Sequence, residues 1–146
     1  MVDPEHSVFY DHYHTHDRSL IGKRGGQIEG IGRPRVEPSF VPGVIDSMMK
    51  VHDVDSLATI HWMVQNNVLQ GRKAGPSTGT NLYGALQLAQ TMRERNESGS
   101  IVTLLCDSGE RYLDTYYNPT WVQEHIGDIG PSMEYLQRFN TPKDTS

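Results

Sequence analysis

The spacing of apolar residues predicts two amphipathic helices. In residues 55–65, Leu57, Ile60 and Val64 recur at intervals of three and four, after a cluster at 53–56 that is typical of a helix N-terminus. We expect this helix to end at the two asparagines that follow it. A second helix is predicted over residues 81–95, where the same spacing is shared by Leu82, Ala85, Leu86, Ala89 and Met92.

The apolar pattern changes at residues 101–106, where nearly every position is apolar and the first two are β-branched. A run of this kind, bounded by glycine and polar residues, predicts a strand buried on both faces of a parallel sheet. Together with the preceding helix it forms half of a predicted β–α–β unit. The expected fold class is α/β, with a parallel sheet flanked by helices.

The other segments give weaker signals. Residues 3–43 are rich in proline and glycine and show no sustained period. Short helices are predicted near 120–125 and 132–139. Residues 44–49 fit a short helix or a strand, residues 68–70 are an extended candidate, and the polar tail at 141–146 is expected to fray.

Composition narrows the classes of function. The chain has 146 residues, a formal net charge of −5 and a single cysteine, Cys106. One domain, no internal disulfide and a cytoplasmic location are expected, and the acidic balance argues against nucleic-acid binding. No apolar run reaches the roughly 18–20 residues of a membrane helix.

Residues 75–81, a run of small and hydroxyl side chains, come directly before the second predicted helix. A helix N-terminus offers unpaired N–H groups, and small residues let a ligand approach the backbone. An ordinary capping loop accounts for the same pattern. Ligand binding and simple capping therefore both stay open from the pattern alone.

Two further segments have candidate chemistry. Residues 107–112 follow the predicted strand, at the sheet edge where α/β proteins bind ligands, although a turn capped by Asp107 with a surface pair from Arg111 is the simpler interpretation. Residues 29–35 combine two glycines with two arginines, which suit a flat cofactor or a carboxylate, but equally a surface loop.

Histidines and the cysteine give little indication of a metal site. His12, His14 and His16 alternate and would share one face of an extended chain. Neither a cysteine nor a carboxylate cluster with ligand spacing accompanies them, so no metal site is predicted. Cys106 is expected to be a packed thiol rather than a nucleophile.

Four motifs, in this order, resemble the cysteine synthase and cystathionine β-synthase family of enzymes that use pyridoxal phosphate (PLP). They are VDPEHS at 2–7, EGIG at 29–32 with FVP at 40–42, GPSTG at 75–79 and DSGERYL at 107–113. The resemblance covers residues 2–118 and implies part of the large domain of the tryptophan-synthase-β fold (PLP fold type II). Residues 1–146 are then a single partial domain, the C-terminal part of such an enzyme.

The resemblance also implies roles for individual residues. Ser77 would hydrogen-bond the pyridine nitrogen of PLP, and a neutral hydroxyl there suits α,β-elimination. Gly75 and Thr78 would belong to the same cofactor-binding segment, while Gly30 and Gly32 would lie beside the cofactor and the substrate entrance. The family's Schiff-base lysine, its substrate-carboxylate loop and its phosphate loop would all precede Val2, so no catalytic residue is assigned within this chain.

Residues 33–39 separate the Gly-Ile-Gly and Phe-Val-Pro motifs, a departure that resembles the cysteine desulfhydrase branch of the family. The implied activity is PLP-dependent β-elimination or β-replacement on cysteine or an O-acetylserine-like substrate, in a full-length enzyme compatible with a homodimer. This chain alone is expected to be inactive. The alternative is a non-catalytic fragment or a module that pairs with a chain supplying the lysine.

Overall fold

A computed structural model describes residues 1–140 of the protein. The polar tail predicted at 141–146 lies outside the described residues. Short 3-10 helices occupy Pro42–Val44, Gly109–Tyr112 and Gln137–Phe139. The remaining regular elements are, in chain order, β1 (Val2–Pro4), α1 (Phe9–Thr15), β2 (Met49–Val51), α2 (Asp53–Gln65), α3 (Pro76–Glu94), α4 (Pro119–His125) and α5 (Gly130–Leu136).

The two strands form a short parallel sheet. Val2 lies opposite Met49, and Pro4 lies opposite Val51. A parallel pair needs a long crossover, and the proline- and glycine-rich segment between the strands provides it. A turn follows β1, since Ser7 N donates to Pro4 O at 3.0 Å. The α/β class and the parallel pairing are thus present in this chain.

Helix α2 is the centre of the core. Leu57 and Ile60 pack against an aromatic cluster that includes Tyr112 and Tyr116. The opposite side of the helix, at Ala58, Trp62 and Met63, packs against Ala74 and Leu136. The helix prediction over 55–65 is confirmed, and Asn66 caps its end through a side-chain bond to Trp62 O at 2.9 Å. The buried surface of α2 is wider than the apolar face that the spacing predicts. Val64, which belongs to the predicted face, is exposed.

Helix α3 begins earlier than predicted. Residues 76–81 are its first turns and not a loop, because Gly75 is extended and Pro76 occupies the first helical position, where no N–H is needed. The small residues bring α3 close to α2. A Cβ on Gly79 would overlap the carbonyl oxygen of Ser56, and the hydroxyls of Ser56 and Thr80 lie 2.7 Å apart.

The prediction of a strand at residues 101–106 is wrong. The segment is not assigned to a sheet, and Val102 and Leu104 are 93% and 72% exposed. Its hydrogen bonds to α3 run from Cys106 N to Thr78 Oγ1 and from Asn81 Nδ2 to both Leu104 O and Cys106 Sγ. A strand forms only beside another strand, and within residues 1–140 none pairs with this segment. The predicted half β–α–β unit is therefore not formed.

The weaker predictions have mixed outcomes. Helices α4 and α5 confirm the short helices predicted near 120–125 and 132–139. Helix α1 interrupts the stretch predicted to be irregular, and residues 68–70 form a turn rather than an extended segment. Residues 44–49 contain only the end of a 3-10 helix and the first residue of β2. No helix within residues 1–140 combines the length and apolar character needed to cross a membrane.

Candidate cofactor site

Two motifs that lie far apart in the sequence are joined at the start of α3. Gly75 N donates to Asp107 O, and Gly109 N donates to Lys73 O, each at 2.9 Å. Ala74 and Ser108 form an antiparallel bridge between these bonds. A Cβ on Gly75 would overlap the carboxylate of Asp107. The absence of a side chain at Gly75 is thus required by the protein's own packing.

Ser77 presents an uncommitted hydroxyl at the N-terminal end of this 19-residue helix. Its side chain is almost buried, with 7% exposure, and makes no hydrogen bond within residues 1–140. Neighbouring hydroxyls are engaged, since Thr78 Oγ1 accepts from Cys106 N at 2.9 Å and Thr80 pairs with Ser56. Ser77 is therefore the hydroxyl at this helix end that is available for a ligand.

Asp107 and Tyr112 fix the loop that faces Gly75. The Tyr112 hydroxyl donates to Asp107 Oδ2 at 2.7 Å, and Arg111 Nη1 lies 3.8 Å from the same oxygen. The hydrogen bond to Asp107, with a contribution from burial, raises the pKa of Tyr112 to about 12. The predicted turn with a pair from Arg111 is confirmed. However, the Asp107 carboxylate accepts from a tyrosine and does not cap backbone N–H groups. The backbone cap is Ser108, whose Oγ accepts from Glu110 N.

We expect Tyr112 to be among the last tyrosines to ionise on alkaline titration of the chain. Its pKa is raised from 10.0, so its contribution to stability is complete below pH 10 and is lost as the pH rises through about 12. Tyrosinate absorbance measures this directly. The Tyr112→Phe variant should lose amplitude near pH 12, and Asp107→Asn should move that amplitude to lower pH. An unchanged titration curve in both variants would contradict the assignment.

The glycine loop, residues 29–32, lies against the β1 end of the molecule. Gly30 and Gly32 have positive φ angles of 84° and 76°, which favour glycine. A Cβ on Gly32 would lie 2.7 Å from the Pro4 ring, whereas the same position on Gly30 faces open space. Gly32 therefore serves internal packing, and Gly30 is the position with room beside it.

A tyrosine pair connects the glycine loop to the start of α3. The Tyr116 hydroxyl donates to Gln27 O at 2.6 Å and accepts from Glu29 N at 3.3 Å. Its ring centroid lies 5.1 Å from that of Tyr112, which holds Asp107. Sequence reasoning missed Tyr116, although the repeat of aromatic residues at 112, 116 and 117 after the DSGERY motif signals a packed aromatic cluster.

The predicted cofactor residues thus form two groups. Gly75, Ser77 and Thr78 are adjacent at the start of α3, and Gly30 and Gly32 lie in the glycine loop. The tyrosine pair links the groups indirectly. The arrangement has a free hydroxyl, a helix N-terminus and an open glycine, which fits one side of a flat, nitrogen-containing anionic ligand.

Two of the lysines in residues 1–140 have side-chain partners of their own. Lys50 Nζ pairs with Asp11 at 3.1 Å, and Lys73 Nζ lies 5.9 Å from the centroid of the Tyr117 ring. Lys23 is exposed, and Lys143 lies outside the described residues. That no lysine of this chain serves as the Schiff-base lysine stays a prediction.

The alternating histidines do not form a shared face. His12 and His14 lie in α1, where a two-residue spacing points side chains in different directions. His12 is buried, and its Nδ1 is 2.9 Å from Asp17 O. The extended arrangement that a metal site would need is contradicted. The prediction that Cys106 is a packed thiol is also wrong, because its side chain is exposed.

No model of a protein family matches the chain. L-cysteine desulfhydrase Cds1 of Mycobacterium tuberculosis is 47% identical over 138 residues, which are 94% of this chain and 37% of that protein. The chain is a homologue of part of that enzyme. It therefore shares ancestry with the cysteine desulfhydrases and cysteine synthases.

Two other relatives support the same relationship. A cysteine synthase of Dictyostelium discoideum is 27% identical over 133 residues, 86% of this chain and 34% of that protein. A Caenorhabditis elegans protein whose name gives it as pyridoxal-phosphate dependent is 31% identical over 149 residues. The chain spans about a third of the length of the curated relatives it matches. The predicted family resemblance is confirmed.

Proposed function

We propose that this chain forms the pyridine-nitrogen side of a PLP site in an enzyme that catalyses β-elimination or β-replacement on cysteine or an O-activated serine. The observation that carries the proposal is Ser77, an almost buried hydroxyl without a hydrogen-bond partner in residues 1–140, at the N-terminus of α3. The names of the relatives support the substrate class.

PLP, when bound, would withdraw electrons from the α-carbon of the substrate and so labilise its C–H bond, and loss of that proton lets the group on the β-carbon leave. Ser77 would donate its O–H to the ring nitrogen. An uncharged donor holds the ring without forcing a proton onto that nitrogen, whereas a carboxylate there would favour the protonated ring. Gly75 keeps the helix start close to Asp107, which fixes the position of Ser77 relative to the loop at 107–112.

The glycine loop would border the cofactor and the substrate entrance. Gly30 has open space beside its Cα, so a ligand can approach the backbone there. Tyr116 holds this loop through Glu29 N and Gln27 O, which sets its distance from the rest of the site. We place the chain in the large domain of PLP fold type II, and the short parallel sheet beside α2 and α3 supports this assignment of the fold. The enzyme is proposed to be cytoplasmic.

Thr78 is a weaker candidate for cofactor contact. Its hydroxyl accepts from Cys106 N, so its present role is to attach residues 101–106 to α3. The backbone at Thr78 still belongs to the first turn of the helix and contributes to the positive end of the helix dipole.

The alternative, a non-catalytic module that pairs with another chain, is favoured by one observation. The exposed apolar side chains of Val102 and Leu104 border a groove of about 330 Å³ beside α3 and the β1–β2 sheet. An apolar surface of this kind is typical of an interaction site. Such a module would co-elute with a partner on size-exclusion chromatography and would support no turnover in any assembly.

A chimaera tests the catalytic proposal. Residues of this chain would replace the matching segment of the Mycobacterium tuberculosis enzyme, to which they are 47% identical over 138 residues. We expect the chimaera to release sulfide from cysteine, while this chain alone does not. Borohydride reduction and peptide mapping should place the PLP adduct on a lysine of the Mycobacterium part.

Two results would contradict the proposal. A folded chimaera that neither binds PLP nor releases sulfide would favour the non-catalytic module. A stoichiometric PLP adduct on one lysine of the isolated chain, at position 23, 50, 73 or 143, would show that the Schiff-base lysine lies in this chain after all.

A further inference from the structure

A second cluster of polar side chains lies where the turn after β1 meets the start of α2. One ligand atom from each of Glu5, His6 and Asp53 lies within 4.8 Å of the others. Glu5 and Asp53 are 48 positions apart in the sequence and are joined by a bond of 3.1 Å from Asp53 N to Glu5 Oε1. Spacing along the chain gives no indication of this cluster, because the fold alone assembles it.

Asp53 is the unusual member of the cluster. The residue is 97% buried, and within residues 1–140 its Oδ1 atom has no hydrogen-bond partner. A buried carboxylate oxygen without a partner is costly unless a cation or a donor compensates it. The carboxylate stands beside the other two members of the cluster, and within the described part of the chain its Oδ1 atom is left without a partner.

The remaining carboxylate oxygens are held from outside the cluster. Gln27 N donates to Asp53 Oδ2 at 3.2 Å, and His52 Nδ1 lies 2.8 Å from Glu5 Oε2. Bonds of this kind orient ligand side chains in metal centres. Arg24 is a further cation near Asp53, but it donates no hydrogen bond to that carboxylate within residues 1–140.

We propose that Glu5, His6 and Asp53 form a binding site for one zinc ion, with a remaining coordination position open to solvent. Two carboxylate oxygens and one imidazole nitrogen are ligands that zinc accepts, and one divalent ion balances the two carboxylates. This site is separate from the Ser77 site and stands or falls independently of the proposed PLP function.

The distances allow zinc after small side-chain movements. Zinc bonds to nitrogen and oxygen measure about 2.0–2.2 Å, so tetrahedral ligand atoms stand about 3.4 Å apart. Glu5 Oε1 and His6 Nε2 are already 3.8 Å apart. An entry path exists, because His6 is partly exposed and lines a small cavity with Arg24 and Gly32.

Bound zinc would join three segments of the fold. Glu5 and His6 belong to the turn after β1, Asp53 begins α2, and Gln27 links Asp53 to the segment preceding the glycine loop. The ion would therefore stabilise the folded state, since it binds ligands that the unfolded chain does not hold together.

Calorimetric titration of the metal-free chain with zinc tests the site. We expect one zinc per chain and an affinity at least about tenfold weaker in Asp53→Asn and in His6→Ala. The double variant His14→Gln with His16→Gln, which changes two exposed histidines of the alternating run, is the matched control and should bind zinc normally.

Thermal unfolding separates loss of the site from loss of the fold. In a chelator, Asp53→Asn should be as stable as the unmodified chain or more so, because it removes a buried charge with an unpartnered oxygen. Added zinc should then raise the unfolding midpoint of the unmodified chain and leave that of the variant unchanged. Absence of zinc binding, equal affinity in Asp53→Asn, or loss of binding only in the histidine control would overturn the proposal.

Discussion

Replacement of Gly79 by alanine should reduce the free energy of unfolding by about 2 kcal/mol. The added methyl group would overlap the Ser56 carbonyl oxygen and crowd Ile60 Cγ2, at the closest approach of α2 and α3. Overpacking against backbone costs up to about 3 kcal/mol, and the better helix propensity of alanine offsets about 1 kcal/mol of it. Urea denaturation followed by circular dichroism measures the difference.

Gly84→Ala is the matched control in the same helix. It has the same gain in propensity, but its methyl group would overlap the Val2 side chain of the short strand β1 rather than a backbone carbonyl oxygen, with Met49 Sδ in ordinary contact. We therefore expect a clearly smaller loss than for Gly79→Ala. Equal effects of the two substitutions, or a gain in stability from Gly79→Ala, would show that α2 and α3 are not packed as described.

Replacement of Ser77 by alanine in the chimaera should lower sulfide release from cysteine about tenfold and weaken PLP binding. The lost group is the hydroxyl proposed to donate to the ring nitrogen, and loss of one such bond, at about 1–1.5 kcal/mol, corresponds to about tenfold. Sulfide assays and PLP titration measure the two effects. The steady-state constants separate a weaker cofactor complex from a slower chemical step.

Stability distinguishes this role from a structural one. Ser77 makes no hydrogen bond within residues 1–140, so Ser77→Ala should leave the unfolding midpoint nearly unchanged. Thr78→Val is the contrasting variant, because it removes the acceptor of Cys106 N and should lower that midpoint. The exposed Ser98→Ala should change neither property. Full activity and PLP affinity in Ser77→Ala would exclude the proposed contact.

The local sequence was sufficient for some elements of the fold. Helix α2 was predictable because its apolar spacing, its acidic start and its terminal asparagines all act within the helix itself. The short helices α4 and α5 were predictable for similar reasons. The family resemblance was equally a property of the sequence, since it rested on the order of four short motifs, and the homology to cysteine desulfhydrases and cysteine synthases confirms it.

Tertiary structure decided the features that depend on distant partners. Residues 101–106 have the composition of a buried strand, but a strand needs a neighbour to accept its hydrogen bonds, and residues 1–140 provide none. The pattern at the start of α3 predicts a loop, because glycine, serine and threonine are typical of loops. Their small size instead allows the close contact with α2 at Gly79 and Thr80.

The same distinction applies to the sites. The sequence identified Ser77 as a candidate, and only the fold shows that its hydroxyl is uncommitted while those of Thr78 and Thr80 are engaged. The cluster of Glu5, His6 and Asp53 exists only in three dimensions, because the parallel pairing of β1 and β2 brings the turn after one strand beside the helix that follows the other. Local pattern therefore determined the helices and the family, while long-range packing determined which polar groups meet.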